Sequence, residues 1–324
     1  MDRQPTLADV YAARKIIAPL LARTPLIRSE SLSEALGFNV HIKCENLQPI
    51  GAFKVRGGLN LVAGLSAAER AQGLVTASSG NHGQSIAYSA RAFGIKATIF
   101  APAQANPLKV AAMRRMGAEV ILTGRDFDDA NSAAIEHAAR TGGRYVHAAN
   151  EPALIAGVGT ATLELIEDLP AVDCIFVPVG GGSGAAGCAT VAKAINPGIK
   201  VIAVQAAGAP AIHDSWQAGK IISYPTTATI AEGLATRLAY DLTFAILRRL
   251  LDDFILVSDD EMFSAVRDLL THAHQLAETS GAAPLAGAKK YGQKLAGKNV
   301  AMILSGGNVT LDTLRSIVGQ GSAQ

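Results

Sequence analysis

Cysteine is scarce in this 324-residue chain: Cys44, Cys174 and Cys188 are odd in number and far apart. That spacing excludes a disulfide framework and a CxxC metal or redox pair, and it fits a reducing cytoplasm. Charge is scarce too, at 17% of residues, and 29 basic against 27 acidic side chains leave a formal net charge of +2. The balance gives no electrostatic footprint for nucleic acid. No apolar stretch approaches the ~20 residues that cross a bilayer, so a membrane span is not expected. The N-terminus lacks the basic and apolar regions of a signal peptide, and Thr6-Leu7-Ala8-Asp9 reads instead as a helix-capping box. A soluble, non-exported protein is expected. Internal repeats, low-complexity tracts and Pro- or Ser-rich linkers are missing as well.

Apolar residues, by contrast, make up 49% of the chain, which excludes disorder. The length is about twice the ~150-residue domain prior, so two intertwined domains are expected. Short apolar runs at 74–77, 96–100, 119–122 and 144–147 alternate with helical patterns at 82–93, 107–116 and 126–140. A second set of buried-strand patterns falls at 174–177, 201–205, 254–257 and 300–304, separated by helix-length segments. Such alternation predicts an α/β protein with two doubly wound parallel sheets. An opening helix, with Leu7, Val10, Tyr11, Ile17, Leu20 and Leu21 on one face, is stopped at Thr24-Pro25 and followed by a strand at 40–43. Its natural place is against the second unit. Residues 1–51 and 149–324 then form a large, discontinuous cofactor-binding domain, and 52–148 a small one. An appended regulatory domain after the last strand and helix is not expected.

Three glycine-bearing segments fall where such folds hold ligands, after strand ends and at helix starts. In Val177-Pro178-Val179-Gly180-Gly181-Gly182-Ser183-Gly184-Ala185-Ala186-Gly187, a strand runs through a glycine loop into a small-residue helix. Backbone N–H groups can converge there on a phosphate, although a tight turn with close packing reads the same way. Gly182, Gly184 and Gly187 also fit the dinucleotide fingerprint, which keeps a nicotinamide-dependent oxidoreductase as a rival. That rival expects an acidic residue at the end of the next strand, where this chain has Gln205.

The second segment, Gly51-Ala52-Phe53-Lys54-Val55-Arg56-Gly57-Gly58, sets a lysine among apolar and small residues. Lys54 is either a solvated charge or, if desolvated, a neutral amine able to form a Schiff base. In the third, Thr76-Ala77-Ser78-Ser79-Gly80-Asn81-His82-Gly83-Gln84, hydroxyls and amides crowd a helix start. Capping accounts for one of them. The surplus suits a carboxylate. His82 is either structural or a proton carrier, and Ser305, in Leu304-Ser305-Gly306-Gly307-Asn308, is either a turn residue or a cleft-facing hydroxyl. Glu278-Thr279-Ser280-Gly281 stays undecided.

Taken in order, these segments resemble the fold-type II pyridoxal-phosphate enzymes, the tryptophan-synthase-β-like fold, and among them the threonine and serine dehydratases and serine racemases. The likeness runs from about Tyr11 to Val309 and includes Thr24-Pro25-Leu26, Lys43-Cys44-Glu45-Asn46-Leu47-Gln48-Pro49 and Phe53-Lys54-Val55-Arg56-Gly57. Ser78 to Gly83, Gly180 to Gly187 and Ser305-Gly306-Gly307-Asn308 match as well. The resemblance implies that Lys54 forms a Schiff base with pyridoxal 5′-phosphate. Gly180, Gly181, Gly182, Ser183 and Gly184 would hold the phosphate, Ser183 standing where relatives commonly carry a fourth glycine. Asn81 would bond the ring 3′-oxygen, and Ser305 would face the pyridine nitrogen. Ser78, Ser79, Asn81 and His82 would surround the substrate carboxylate.

A neutral serine at the ring nitrogen makes the cofactor a weaker electron sink, which favours early loss of a leaving group over transamination. The resemblance therefore implies an ammonia-lyase acting on L-threonine or L-serine. Lys54 would remove the α-proton, and the β-hydroxyl would leave with acid help from the cofactor phosphate. Ser79 stands where racemases place the hydroxyl that works on the opposite face, so an amino-acid racemase is the alternative. A catalytically dead relative and the nicotinamide reading lie outside both. Relatives are often homodimers.

Departures from the family pattern carry their own expectations. Ala52 replaces a serine many relatives have before Phe53. Gln205, followed by Ala206 and Ala207, stands where some members have an acidic cation ligand, so no metal is expected at that site. Small residues at Ala148 and Ala149, with Arg237 as either a solvated charge or an anion contact, leave room for a bulkier or acidic substrate such as phenylserine or 3-hydroxyaspartate.

Overall fold

The computed structural model describes residues 3–319. Its strands, in chain order, are β1 (Leu26–Ser29), β2 (Asn39–Cys44), β3 (Leu74–Ala77), β4 (Ala97–Ala101), β5 (Glu119–Leu122), β6 (Arg144–Tyr145), β7 (Cys174–Pro178), β8 (Lys200–Ala206), β9 (Asp253–Val257) and β10 (Asn299–Leu304). They form a six-stranded sheet in the order β1-β2-β10-β7-β8-β9 and a four-stranded sheet in the order β5-β4-β3-β6. Every pairing among the described strands is parallel except β1 with β2. The α/β class with two largely parallel sheets, expected from the alternating pattern, is what the chain forms.

Strand order decides where chemistry gathers. β10, the last strand, lies between β2 and β7, with Leu304 level with Cys44 and Met302 level with Phe176. Ser305 therefore leaves the sheet beside the glycine loop that follows Pro178. This is the carboxyl edge at which open α/β sheets hold ligands. In the smaller sheet β3 is central, and its end at Ala77 delivers Ser78 and Ser79 to the same kind of edge. The helix Lys54–Ala63 packs on both the Asn81–Ala92 helix and the Pro152–Asp168 helix, so it bridges the two sheet units.

Both faces of the large sheet are buried. One is covered by the helices Leu7–Ile17, Pro152–Asp168 and Ser183–Ile195, the other by Asp259–Ala273 and Thr279–Tyr291. The opening helix does pack against the second unit, starting from a capping box between Thr6 and Asp9. It ends at Ile17, however, short of Thr24-Pro25, and its buried residues are Val10, Ala13 and Ile17. Tyr11 and Leu20 are exposed, at 40% and 41%. The inward stripe follows the i, i+3, i+7 spacing, and Tyr11 lies beside it with Arg14 over its ring.

Strand β6 is also shorter than the 144–147 pattern suggested. His147 Nδ1 accepts the N–H groups of Ala149 and Asn150 at 3.0 and 2.9 Å, and this turn takes the chain out of the sheet. β1 gave no strand pattern of its own. It is a four-residue edge strand whose pairing with β2 supplies what its sequence does not.

Candidate active site

Lys54 begins its helix, with its side chain half-buried. Its Nζ donates to Ala148 O at 3.0 Å and to Ser183 Oγ at 2.8 Å, with the Phe53 ring 5.3 Å away. No carboxylate pairs with it among the described residues. No charged group opposes burial, which pulls the amine down to about 8, so a far larger neutral fraction is available near pH 7 than in a solvated lysine.

The amine opens on a cavity of about 510 Å³, within the usual range for a small-ligand site. Gly180, Gly181, Gly182, Ser183 and Gly184 form one wall. The loop needs its glycines: a Cβ on Gly180 would sit 2.0 Å from Gly233 O, and Gly182 has φ +92° as the N-cap of the Ser183 helix. Unclaimed N–H groups of that helix start face the cavity, which suits an anion. Ser305 lines the same space, anchored because its carbonyl accepts from Phe53 N at 2.9 Å and Ala52 bridges to Gly306.

Across the cavity stand Ser78, Ser79, Asn81 and His82. Ser78 Oγ accepts from Gly80 N at 3.1 Å in a local turn, but the helix N-cap is Gly80 and no side chain caps the helix, so the capping expected of one of these residues does not form. Asn81 is held at both ends of its amide: Nδ2 donates to Glu278 Oε1 at 2.7 Å, and Oδ1 accepts from Asn308 Nδ2 at 2.8 Å. Burial raises the Glu278 carboxyl, partly offset by the Asn81 hydrogen bond.

His82 resolves toward a structural ring. The Thr76 hydroxyl donates to Val146 O at 2.7 Å, so it accepts from His82 Nε2 at 2.9 Å, leaving Nδ1 a bare acceptor with no partner. Burial, with smaller contributions from Lys54 and His147, lowers this imidazole to about 3. A neutral ring whose one N–H is spent on Thr76 cannot donate to a carboxylate. What His82 offers an anion is its backbone N–H in the first turn of the Asn81 helix.

The sequence patterns missed several neighbours. Glu278 sits in a segment whose sequence left its role undecided, and only the fold brings it to Asn81. His147, lowered to about 4 by burial and by Lys54, stacks edge-on against Tyr240 at 4.5 Å. At the cavity mouth Lys109 pairs with Glu232, and Arg237 with Asp128 while also donating to Pro225 O at 3.0 Å. Ala148 and Ala149 line the cavity, as their small size suggested. Gln205 is buried with Oε1 accepting from His213 N at 3.0 Å, and no metal-competent group of three or more His, Cys, Asp or Glu occurs among the described residues. Among those residues no helix is long and apolar enough to cross a membrane.

These residues fit pyridoxal phosphate: a desolvated amine, a glycine cradle for a phosphate, a fixed amide and a neutral hydroxyl share one cavity wide enough for the ring. Comparison with known proteins agrees. The family model for pyridoxal-phosphate dependent enzymes matches residues 17–306. An L-threonine ammonia-lyase from Geobacter sulfurreducens is 43% identical over 300 residues, covering 92% of this chain and 74% of the relative. One from Thermotoga maritima is 40% identical over 317 residues, covering 98% and 79%. Among solved structures, a threonine deaminase isoform from Solanum lycopersicum superposes with TM-score 0.93 at 32% identity, covering 99% of this chain and 91% of that one. Maize serine racemase gives 0.92 at 35%, covering 98% and 99%. By sequence, fold and the chemistry of its cavity, this chain belongs to the pyridoxal-phosphate-dependent enzymes of fold type II.

Proposed function

We propose that the protein is an ammonia-lyase that converts L-threonine or L-serine to a 2-oxo acid and ammonium. The observation that carries this reading is the Lys54 amine, half-buried without a carboxylate partner and lining one cavity with the glycine cradle and Ser305. Bound pyridoxal phosphate supplies a covalent handle for the substrate amine and an electron sink for the pair left when the α-proton departs. The remaining work falls to the chain.

Lys54 is the base. An amine lowered to about 8 is neutral in roughly a tenth of molecules at pH 7, against less than a thousandth for an ordinary lysine. The Gly180–Gly184 N–H groups and the Ser183 hydroxyl bind the phosphate, with the helix dipole in support. Ser305 is neutral and leaves the ring nitrogen without a fixed counter-charge, which favours elimination. Ser78, Ser79 and the first-turn N–H groups of Asn81 and His82 would hold the substrate carboxylate, and the Asn81 amide would bond the ring oxygen of the cofactor. The relatives named L-threonine ammonia-lyase support threonine as the substrate. An acidic side chain is less well served, since Lys109 and Arg237 at the mouth are already paired.

The test is a panel of L-threonine, L-serine, phenylserine and 3-hydroxyaspartate with 2-oxo acid and chirality readouts, alongside Lys54→Ala. Fastest 2-oxo acid release from threonine or serine, abolished in Lys54→Ala, is expected. Racemisation outrunning elimination would instead assign Ser79 a proton-donating role and overturn the lyase reading.

A further inference from the structure

We propose that Ser183, where relatives commonly carry glycine, is a positioning residue that holds the Lys54 amine and sets the pH at which it becomes a base. The inference rests on Lys54 being the amine of the proposed reaction. Lys54 Nζ has two acceptors among the described residues, Ala148 O at 3.0 Å and Ser183 Oγ at 2.8 Å. The first is a backbone carbonyl that no side-chain substitution removes. The second is a hydroxyl on the first residue of a 13-residue helix, 2% exposed.

That position matters electrostatically. The amine bonds the first residue of the Ser183–Ile195 helix, at the positive end of its dipole, an environment that repels an ammonium. Ser183 Oγ is the one lone-pair donor that this wall turns toward it. A hydrogen bond to an ionised donor is stronger than one to a neutral donor, so the hydroxyl supports the ammonium form and offsets part of the desolvation. By accepting from Lys54, Ser183 also keeps its own proton free for an anion in the cradle. One oxygen thus links the base to the anion site.

Other titratable groups around the amine do not compete. His82, from the Asn81 helix, and His147, from the turn after β6, are both held neutral at the pH values where lysine titrates. Tyr240 is raised by burial and stays protonated. Glu278 faces Asn81, while Lys109 with Glu232 and Arg237 with Asp128 are closed pairs at the mouth, where Asp126 also lies.

The test removes only the oxygen. Full-length protein stripped of cofactor is reductively methylated across a pH series, and the extent at Lys54 is read by peptide mass spectrometry. The wild type is expected to give a midpoint near 8, Ser183→Ala and Ser183→Gly a midpoint lower by roughly half to one pH unit, and Ser183→Thr the wild-type value. The acidic limb of the kcat profile of the loaded enzyme shifts the same way in Ser183→Ala. An unchanged or raised midpoint in both Ser183→Ala and Ser183→Gly overturns the inference, as does failure of Ser183→Thr to restore it. Failure of the underlying reading has a different signature: Lys54→Ala would still eliminate ammonia.

Discussion

The Arg56 guanidinium grips the Glu45 carboxylate with two hydrogen bonds, Nε to Oε2 at 2.7 Å and Nη2 to Oε1 at 2.8 Å, in a setting where both side chains are 1% exposed or less. Arg56 also reaches Glu164 twice at 2.8 Å, and Lys43 Nζ reaches Glu164 at 2.7 Å and Thr24 O at 2.7 Å. Thr24, Lys43, Glu45 and Arg56 come from three separated motifs that match the family pattern. The fold joins them in a buried charge-balanced knot two residues from Lys54. Burial alone would raise the Glu45 carboxyl, yet Arg56 holds it below the usual carboxylate range.

Breaking that knot from one side leaves uncompensated buried charge. Arg56→Ala is expected to destabilise the protein by about 3–5 kcal/mol and to loosen the start of the Lys54 helix. Denaturant unfolding measures the first effect, and loss of cofactor absorbance at concentrations that saturate wild type measures the second. A stability change under ~1 kcal/mol would contradict this account.

The glycine cradle makes a sterically sharp prediction. Gly180→Ala puts a methyl 2.0 Å from the Gly233 carbonyl, a backbone atom that cannot rotate away. The loop must shift, so cofactor affinity should fall by at least tenfold while the fold survives. Titration of stripped protein with pyridoxal phosphate gives the answer directly.

Glu278→Gln tests the orientation of Asn81. The carboxylate accepts from Asn81 Nδ2 through Oε1, the oxygen beside Gly306, and the substituted amide satisfies that contact only when its oxygen takes this place and its NH₂ group the other. A loss of about tenfold in kcat, with KM for the substrate nearly unchanged, is expected from misplacing one contact by a fraction of an ångström. A larger change in KM than in kcat would move Glu278 to substrate binding.

Two buried imidazoles predict the acid limb of stability. His82 is lowered to about 3 and His147 to about 4 from an ordinary 6.5, so below pH 6.5 the unfolded chain takes up protons the folded one refuses. Stability is fully present above 6.5 and falls as pH drops toward 4, with a slope approaching about 2.7 kcal/mol per pH unit for two histidines. His147→Gln should roughly halve that slope between pH 6 and 5. Equal slopes in the two proteins would show that His147 is already charged in the folded state.

Gln205 stands at the end of β8 with its amide oxygen committed to His213 N. Activity is expected to survive exhaustive chelation. A large loss restored by Mg²⁺ would reveal a cation site built from residues other than the family's.

Much of this was legible in the chain itself. Alternating apolar runs and helical patterns placed every strand but β1 to within a residue or two, because strands buried on both faces read as continuous apolar runs. The glycine loop was legible because steric demands at Gly180 and Gly182 leave no other residue, and Lys54 because its flanking motif is distinctive. Contacts between distant segments were not legible. Glu278 meeting Asn81, Ser183 meeting Lys54 and the tautomer of His82 all depend on side chains more than a hundred residues apart, or on a hydroxyl committed elsewhere. Local sequence determined elements and loops, since backbone sterics and apolar periodicity act over a few residues. Only the tertiary structure decided protonation and hydrogen-bond direction, because desolvation and charge depend on everything that closes around a group.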